Sequence, residues 1–303
     1  MGNETLDDSL LEEIESHAVD FARQAGQILG DQFCKPMEVQ FKGKKNSDPV
    51  TTADHLSEEY LKKAISEKFP LHSILSEEGG TLRESDSPFV WVLDPLDGTS
   101  NFMNGLPLFA VSVGVLWKRH PVAGSIYVPV SHRITQGVYH ARLGKGAFLD
   151  SEKIEVSTMP SGRPLAELPI HFGRQFRFSG TSRKGPHETR NLGSIALELA
   201  FAASGVFQYA LFGAPKLWDI SAGVLLVKEA GGKNFIRRPR EKNWLILERL
   251  QVEHDNDKGE LEKLRNWSFP LLVGAPNITE KLVKDIQLRR SPLSRLTKWL
   301  GLR

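Results

Sequence analysis

The chain has 303 residues, 40% of them hydrophobic and 25% charged, with a formal net charge of +2. That length accommodates one large domain or two halves sharing a core, and the near-neutral balance gives no overall field to recruit a nucleic-acid polymer. No apolar run approaches the roughly 18–20 residues needed to span a bilayer, and a lone cysteine, Cys34, rules out an internal disulfide. The expected compartment is the cytoplasm, no membrane contact is expected, and Cys34 is expected to be a small buried side chain on the first helix.

In chain order, Leu10, Leu11, Ile14, Ala18, Phe21 and Ala25 recur at helical spacing and predict an amphipathic helix over 8–35. Residues 38–52 read as a hairpin around a polar turn. A second helix follows, capped by Thr52 and burying Leu56, Tyr60, Ala64, Ile65 and Phe69. Strands are predicted at 73–76, 89–93, 108–118, 122–130 and 133–140, with a hairpin at 144–148. A Gly/Pro-rich boundary near 160–164 separates a first half, 1–150, from a second, 151–303. The second half shows helices at 194–204, 216–230 and 277–288 and strands at 206–211 and 269–273, with Gly231-Gly232 as a C-cap signal. The polar stretch 237–265 reads as a surface excursion, and Leu293, Leu296 and Leu300 as a short terminal helix that docks on protein rather than on lipid.

Three places set carboxylates at a strand end or a helix start: Ser76-Glu77-Glu78-Gly79-Gly80, Leu93-Asp94-Pro95-Leu96-Asp97-Gly98-Thr99 and Leu217-Trp218-Asp219. Each alone could be a solvated turn or a helix cap. The second strains that reading, because two acids three residues apart follow an apolar run, and carboxylates held together repel unless a cation neutralises them. Hard oxygen donors suit Mg²⁺, whose shell is commonly completed by water and substrate phosphate. Gly98 allows a close backbone approach, and Thr99 and Ser100 open a helix whose free N–H groups can receive phosphate oxygens.

The run Asp94-Pro95-Leu96-Asp97-Gly98-Thr99-Ser100-Asn101-Phe102 resembles the signature of the inositol monophosphatases, and Trp218-Asp219-Ile220-Ser221-Ala222-Gly223 resembles their second signature. Asp48–Asp54, Ser76-Glu77-Glu78, Gly144–Phe148 and Asn191–Ser194 fall where that family has comparable segments. The resemblance spans about residues 10–235. It implies an α/β (α+β layered) sugar-phosphatase fold, with alternating helix and sheet layers in two subdomains and the site in the cleft between them. It also implies two or three Mg²⁺ ions held by Glu77, Asp94, the Leu96 carbonyl, Asp97 and Asp219, with catalysis by Glu77, Thr99 and Asp48. Asp97, Gly98, Thr99, Gly193, Ser194 and Phe212 would meet the substrate, a small phosphorylated molecule, in a homodimeric enzyme.

The sequence departs from the pattern at Phe212, where the family's inositol-binding members carry a carboxylate. Fructose 1,6-bisphosphate or an adenosine 3′,5′-bisphosphate therefore stands beside a polyol phosphate as the substrate, with Arg174, Arg177, Arg183, Lys184 and Arg190 available for a second phosphate. The alternative from another class is a non-catalytic sugar-phosphate-binding protein. Asp54 could support the metal site from behind or serve as the N-terminal acid of the second helix, and the second is the reading taken.

Overall fold

A computed structural model describes residues 6–35, 39–42, 48–83, 85, 87–159, 163–183, 188–238, 241, 243–251 and 259–289. The expected terminal helix at 293–300 and the turn at 43–47 lie outside the described residues.

The first helix, Asp8–Gln32, starts where Asp7 accepts from the Ser9 amide at 2.9 Å, and it buries Leu11, Ile14, Ala18, Phe21, Ala25 and Leu29. It stops short of the expected end. Phe33 turns in to pack on Phe102 and Phe109, which leaves Cys34 beyond the helix, exposed and at φ 60, not buried as the sequence suggested. The second helix, Thr52–Lys68, is capped by Thr51 rather than Thr52, in a capping box with Asp54. Its buried face is Ala53, Asp54, Ser57, Glu58, Leu61 and Ile65, whereas Leu56 is 39% exposed.

An eight-stranded sheet runs in spatial order Glu152–Ile154, Ala147–Leu149, Gly137–Arg142, His120–Val128, Ala110–Trp117, Phe89–Asp97, Ser73–Ser76 and Gly80–Arg83. Its neighbours are antiparallel except Ser73–Ser76 beside Phe89–Asp97, which are parallel. A six-stranded sheet, ordered Glu188–Arg190, Leu165–Glu167, Tyr209–Phe212, Leu271–Gly274, Lys233–Ile236 and Leu245–Ile246, belongs to the second half.

Strand alternation sorts these sheets into layers. Trp91, Leu93, Val111, Val113 and Val115 face the two N-terminal helices, and Val92, Ala110 and Ile126 face the helices Ile195–Ala203 and Leu217–Glu229. That helix pair in turn meets Ala210, Phe212, Leu271 and Val273 of the smaller sheet. Its opposite face, with Tyr209, Leu211 and Leu272, packs on Leu282 of the helix Pro276–Asp285. The layered α/β class expected from the sequence is therefore the observed one: helices, sheet, helices, sheet, helix.

The central helix Leu217–Glu229 sits unusually close to the large sheet because Gly114 and Gly124 are cross-strand partners beneath it. A Cβ on Gly124 would lie 2.8 Å from the Ala222 Cα. The segment 237–265 is less of an excursion than its composition suggests: it holds the strand Leu245–Ile246 and the helix Glu260–Arg265, anchored by Leu250, Leu261 and Leu264.

Candidate active site

The strand Phe89–Asp97 is buried through Leu96, but its pairing is broken at the end that carries the acids. Asp94 lies opposite Ser112 and Asp97 opposite Ala110, so two residues, Pro95 and Leu96, face one. Proline has no amide for a ladder bond, which favours an irregularity there. The bulge matters because residues three apart in a regular strand point to opposite faces. One extra residue lets Asp94 and Asp97 turn toward the same space. The Leu96 amide donates to Asp94 Oδ1 at 3.1 Å.

Glu77 follows the neighbouring parallel strand, where its amide donates to the Leu93 carbonyl at 3.2 Å. Asp97 Oδ2 accepts from the Ser194 hydroxyl at 2.8 Å and the Ala196 amide at 2.5 Å, so the start of the helix Ile195–Ala203 holds it. Gly98, at φ 94, touches the same loop. A Cβ there would lie 3.0 Å from the Leu108 carbonyl and 3.2 Å from Ser194. Asp219 is the third residue of its helix and accepts from the Lys216 amide at 2.8 Å.

These acids act on one another electrostatically. Asp94 is pushed well above the ordinary carboxylate range by burial and then by the negative charges of Glu77, Asp97 and Asp219. Asp219 is likewise raised well above it, by burial and by Asp97 and Glu77, against the opposing pull of the Lys216 amide and charge. Burial lifts Asp97 to about 6, although the Ala196 and Ser194 bonds oppose this. Among the described residues, no three acidic, histidine or cysteine side chains are grouped as a ready-made metal site. The four acids share a field rather than a closed cage. Their chemistry nonetheless fits a hard divalent cation: all donors are oxygens, three are aimed by backbone amides, and their mutual repulsion is what a cation relieves.

Thr99 is half-buried, and its hydroxyl lies 3.1 Å from the Leu96 carbonyl and 3.3 Å from Asp54 Oδ1. Asp48 was expected to orient it. The backbone of Asp48 opens the strand Asp48–Thr51, but its side chain lies outside the described part. Gly193 is exposed and Ser194 buried, both beside Gly98. Phe212 is only 3% exposed, packed in the core at the end of its strand. The arginines expected to meet a second phosphate are scattered: Arg177 bonds Gln287, Arg190 bonds Glu188, and Arg174 and Arg183 are exposed, while Lys184 lies outside the described residues.

Several supporting residues escaped the sequence reading. Ser57 donates to the Pro95 carbonyl at 2.8 Å, and Glu58 accepts from the Ser76 hydroxyl at 2.5 Å and the Gly79 amide at 2.7 Å, so the second helix clamps both acid-bearing loops. Asp54 is buried, accepts from the Thr51 amide and hydroxyl and reaches Thr99; capping, as expected, is only part of its placement. Glu198 accepts from the Leu192 and Gly193 amides at 2.5 and 3.2 Å, while Asn101 donates to the Leu192 carbonyl at 2.7 Å. The available signal was a polar residue at a core-facing helical position, which happens at Asp54, Ser57, Glu58 and Glu198.

The layered α/β fold carries its clustered acids at a bulged strand end, and comparison with known proteins gives the family and its class of chemistry. Residues 10–266 match the inositol monophosphatase family, and the chain belongs to it. The family's members are phosphoric monoester hydrolases. Relatives include the Nus factor SuhB of Pasteurella multocida, 33% identical over 71% of this chain and 82% of that protein. The fructose-1,6-bisphosphatase/inositol-1-monophosphatase of Aquifex aeolicus is 33% identical over 70% of this chain and 81% of its own. Among solved structures, the extragenic suppressor protein suhB of Bartonella henselae superposes with a TM-score of 0.68 at 26% identity, covering 90% of this chain and 97% of that one. Among the described residues no helix is long and apolar enough to cross a membrane.

Proposed function

We propose that the chain is a Mg²⁺-dependent phosphomonoesterase acting on a small phosphorylated molecule. The observation that carries this is the strand bulge that turns Asp94 and Asp97 toward one space, with Glu77 tied to the same strand and Asp219 near enough for its charge to act on buried Asp94. Glu77, Asp94, the Leu96 carbonyl, Asp97 and Asp219 would hold the metal. When bound, Mg²⁺ supplies the charge that lets an anionic ester and an oxygen nucleophile approach, and it lowers the pKa of water.

The residues do the rest. Thr99 presents its hydroxyl between Leu96 and Asp54, where it can orient a water toward phosphorus. Glu77 is the acid we assign to take that water's proton. The amides of Gly98 and Thr99 receive phosphate oxygens, and Ser194 keeps Asp97 in place behind them. Asp48 is retained as a second partner for Thr99.

For the substrate, Phe212 offers no acceptor for ring hydroxyls, which counts against inositol 1-phosphate as the preferred ester. The name of the Aquifex relative, covering both a sugar bisphosphatase and an inositol monophosphatase, supports testing the two together. Phosphate release from inositol 1-phosphate, fructose 1,6-bisphosphate and adenosine 3′,5′-bisphosphate, with Mg²⁺ and with EDTA, tests the reading. Turnover indifferent to EDTA, or no turnover of any monoester, overturns it. A homodimer is the accompanying proposal, checked by light scattering.

A further inference from the structure

The segment whose composition suggested a surface excursion ends in a side chain that reaches the site from behind. Arg265, the last residue of the helix Glu260–Arg265, is half-buried. Its two terminal nitrogens donate to consecutive carbonyls, Nη1 to Ser76 and Nη2 to Glu77, each at 3.1 Å. Its guanidinium lies 5.5 Å from the centre of the Trp218 ring. Trp218 directly precedes Asp219, and its carbonyl accepts from Ser112, the strand partner of Asp94.

We infer that Arg265 is a positioning residue for the acid cluster, tying the Glu77 turn to the Asp219 helix. The inference rests on the metal-phosphatase reading of that cluster. Its physical basis is the residue's planar fork. One guanidinium can bond two neighbouring carbonyls in its plane while its face lies on an indole, which an ammonium cannot do. Glu77 stands just past the end of its strand. Its amide is held by Leu93 and its carbonyl by Arg265, so the peptide groups on both sides of its Cα are fixed. The Leu93 bond ties the turn to the strand bearing Asp94 and Asp97; the Arg265 contacts tie it to the segment bearing Asp219. Without Arg265, the Glu77 carbonyl loses this bond while its amide keeps the one to Leu93. An outer contact that aims a ligand is worth about 10–100-fold in metal affinity when removed.

The test uses Tb³⁺ as an oxygen-seeking probe whose emission is sensitised by tryptophan and displaced by Mg²⁺. Full-length wild type is compared with Arg265→Met, which keeps an apolar stem, with Arg265→Lys, which keeps the charge, and with Arg265→Ala. Arg265→Met is expected to weaken Mg²⁺-displaceable Tb³⁺ binding by about 10-fold or more, and Arg265→Lys to recover only part of the loss. In turnover, the Mg²⁺ concentration for half-maximal rate should rise by a similar factor, while KM for the ester at saturating Mg²⁺ stays within about twofold. Wild-type Tb³⁺ affinity in Arg265→Met overturns the inference whatever its melting temperature, and so does full recovery by lysine. If Arg265→Ala does not fold, the methionine and lysine variants decide. Wild type that binds Tb³⁺ but releases no phosphate would sink the phosphatase reading, and the Tb³⁺ comparison would still decide the role of Arg265.

Discussion

Replacing Glu198 with glutamine should stabilise the protein, and by an amount that grows with pH. Glu198 is 2% exposed, and burial lifts it to about 8 despite the opposing Leu192 and Gly193 bonds, with Asp97 adding repulsion. Its neighbour Glu167 is 1% exposed and is raised to about 9 by burial and by Glu198. Both amide bonds to Glu198 fall on Oε1, so a glutamine oxygen can keep them. What the substitution removes is the need either to ionise in the interior or to hold a proton there. A carboxyl whose folded pKa exceeds its ordinary 4.5 binds more protons folded than unfolded. Stability from it is complete below that value and drains away as pH climbs through the folded pKa. At about 1.4 kcal/mol per unit, the glutamine advantage is roughly 1 kcal/mol at pH 5 and on the order of 4 kcal/mol at pH 8. At roughly 2–4 °C per kcal/mol, that is about 3 °C against about 12 °C in melting temperature. Thermal melts at pH 5, 6.5 and 8 in EDTA would measure it. A shift of the same size at all three, or destabilisation at pH 8, would refute the reasoning.

Three further outcomes are expected. Ser194→Ala removes both the helix cap toward the Leu197 amide and the hydroxyl bond to Asp97, and should cost about 2 kcal/mol in urea unfolding while weakening Mg²⁺ activation. Gly124→Ala sets a Cβ 2.8 Å from the Ala222 backbone and should cost about 1–3 kcal/mol, because the helix bearing Asp219 must back away; an unchanged urea midpoint would contradict that packing. Asp219→Asn should abolish Mg²⁺-dependent phosphate release and, with one acid removed from the cluster, raise the melting temperature in EDTA at pH 8. Retained turnover in that variant would remove Asp219 from the proposed ligands.

Much of the fold was legible where the signal was long. The Asp8–Gln32 helix repeats its apolar face over many turns, and the strands Ala110–Trp117 and His120–Val128 are mostly apolar, broken only by Ser112, His120 and Ser125. Elements of two to six residues, such as Leu245–Ile246 and Glu260–Arg265, are too short to establish a period, so the segment holding them read as loop. The second helix was misread at one position for a different reason. Ile65 and Phe69 are buried as expected, but Leu56 is exposed, and the inward face of the first turns carries Asp54, Ser57 and Glu58, because there it packs against loop backbone with amides and carbonyls to satisfy. Cys34 was placed in a helix that the inward pull of Phe33 had already ended.

The acid cluster shows why a motif can be read more securely than the geometry beneath it. Strand periodicity alone would send Asp94 and Asp97 to opposite faces of the sheet, one into each of two separate cores. The proline between them is the visible cause of the exception, since it withdraws a ladder donor where the register slips by one. Gly98 then turns the chain through φ 94, a conformation that keeps Thr99 and the Ser194 loop against the same carboxylates. So the spacing that would be wrong for a plain strand becomes right once proline and glycine bracket it. Glu77 and Asp219 carry no such local mark. Their place beside Asp94 comes from a parallel strand pairing and from a helix seated on two glycines, contacts made by residues distant in the chain.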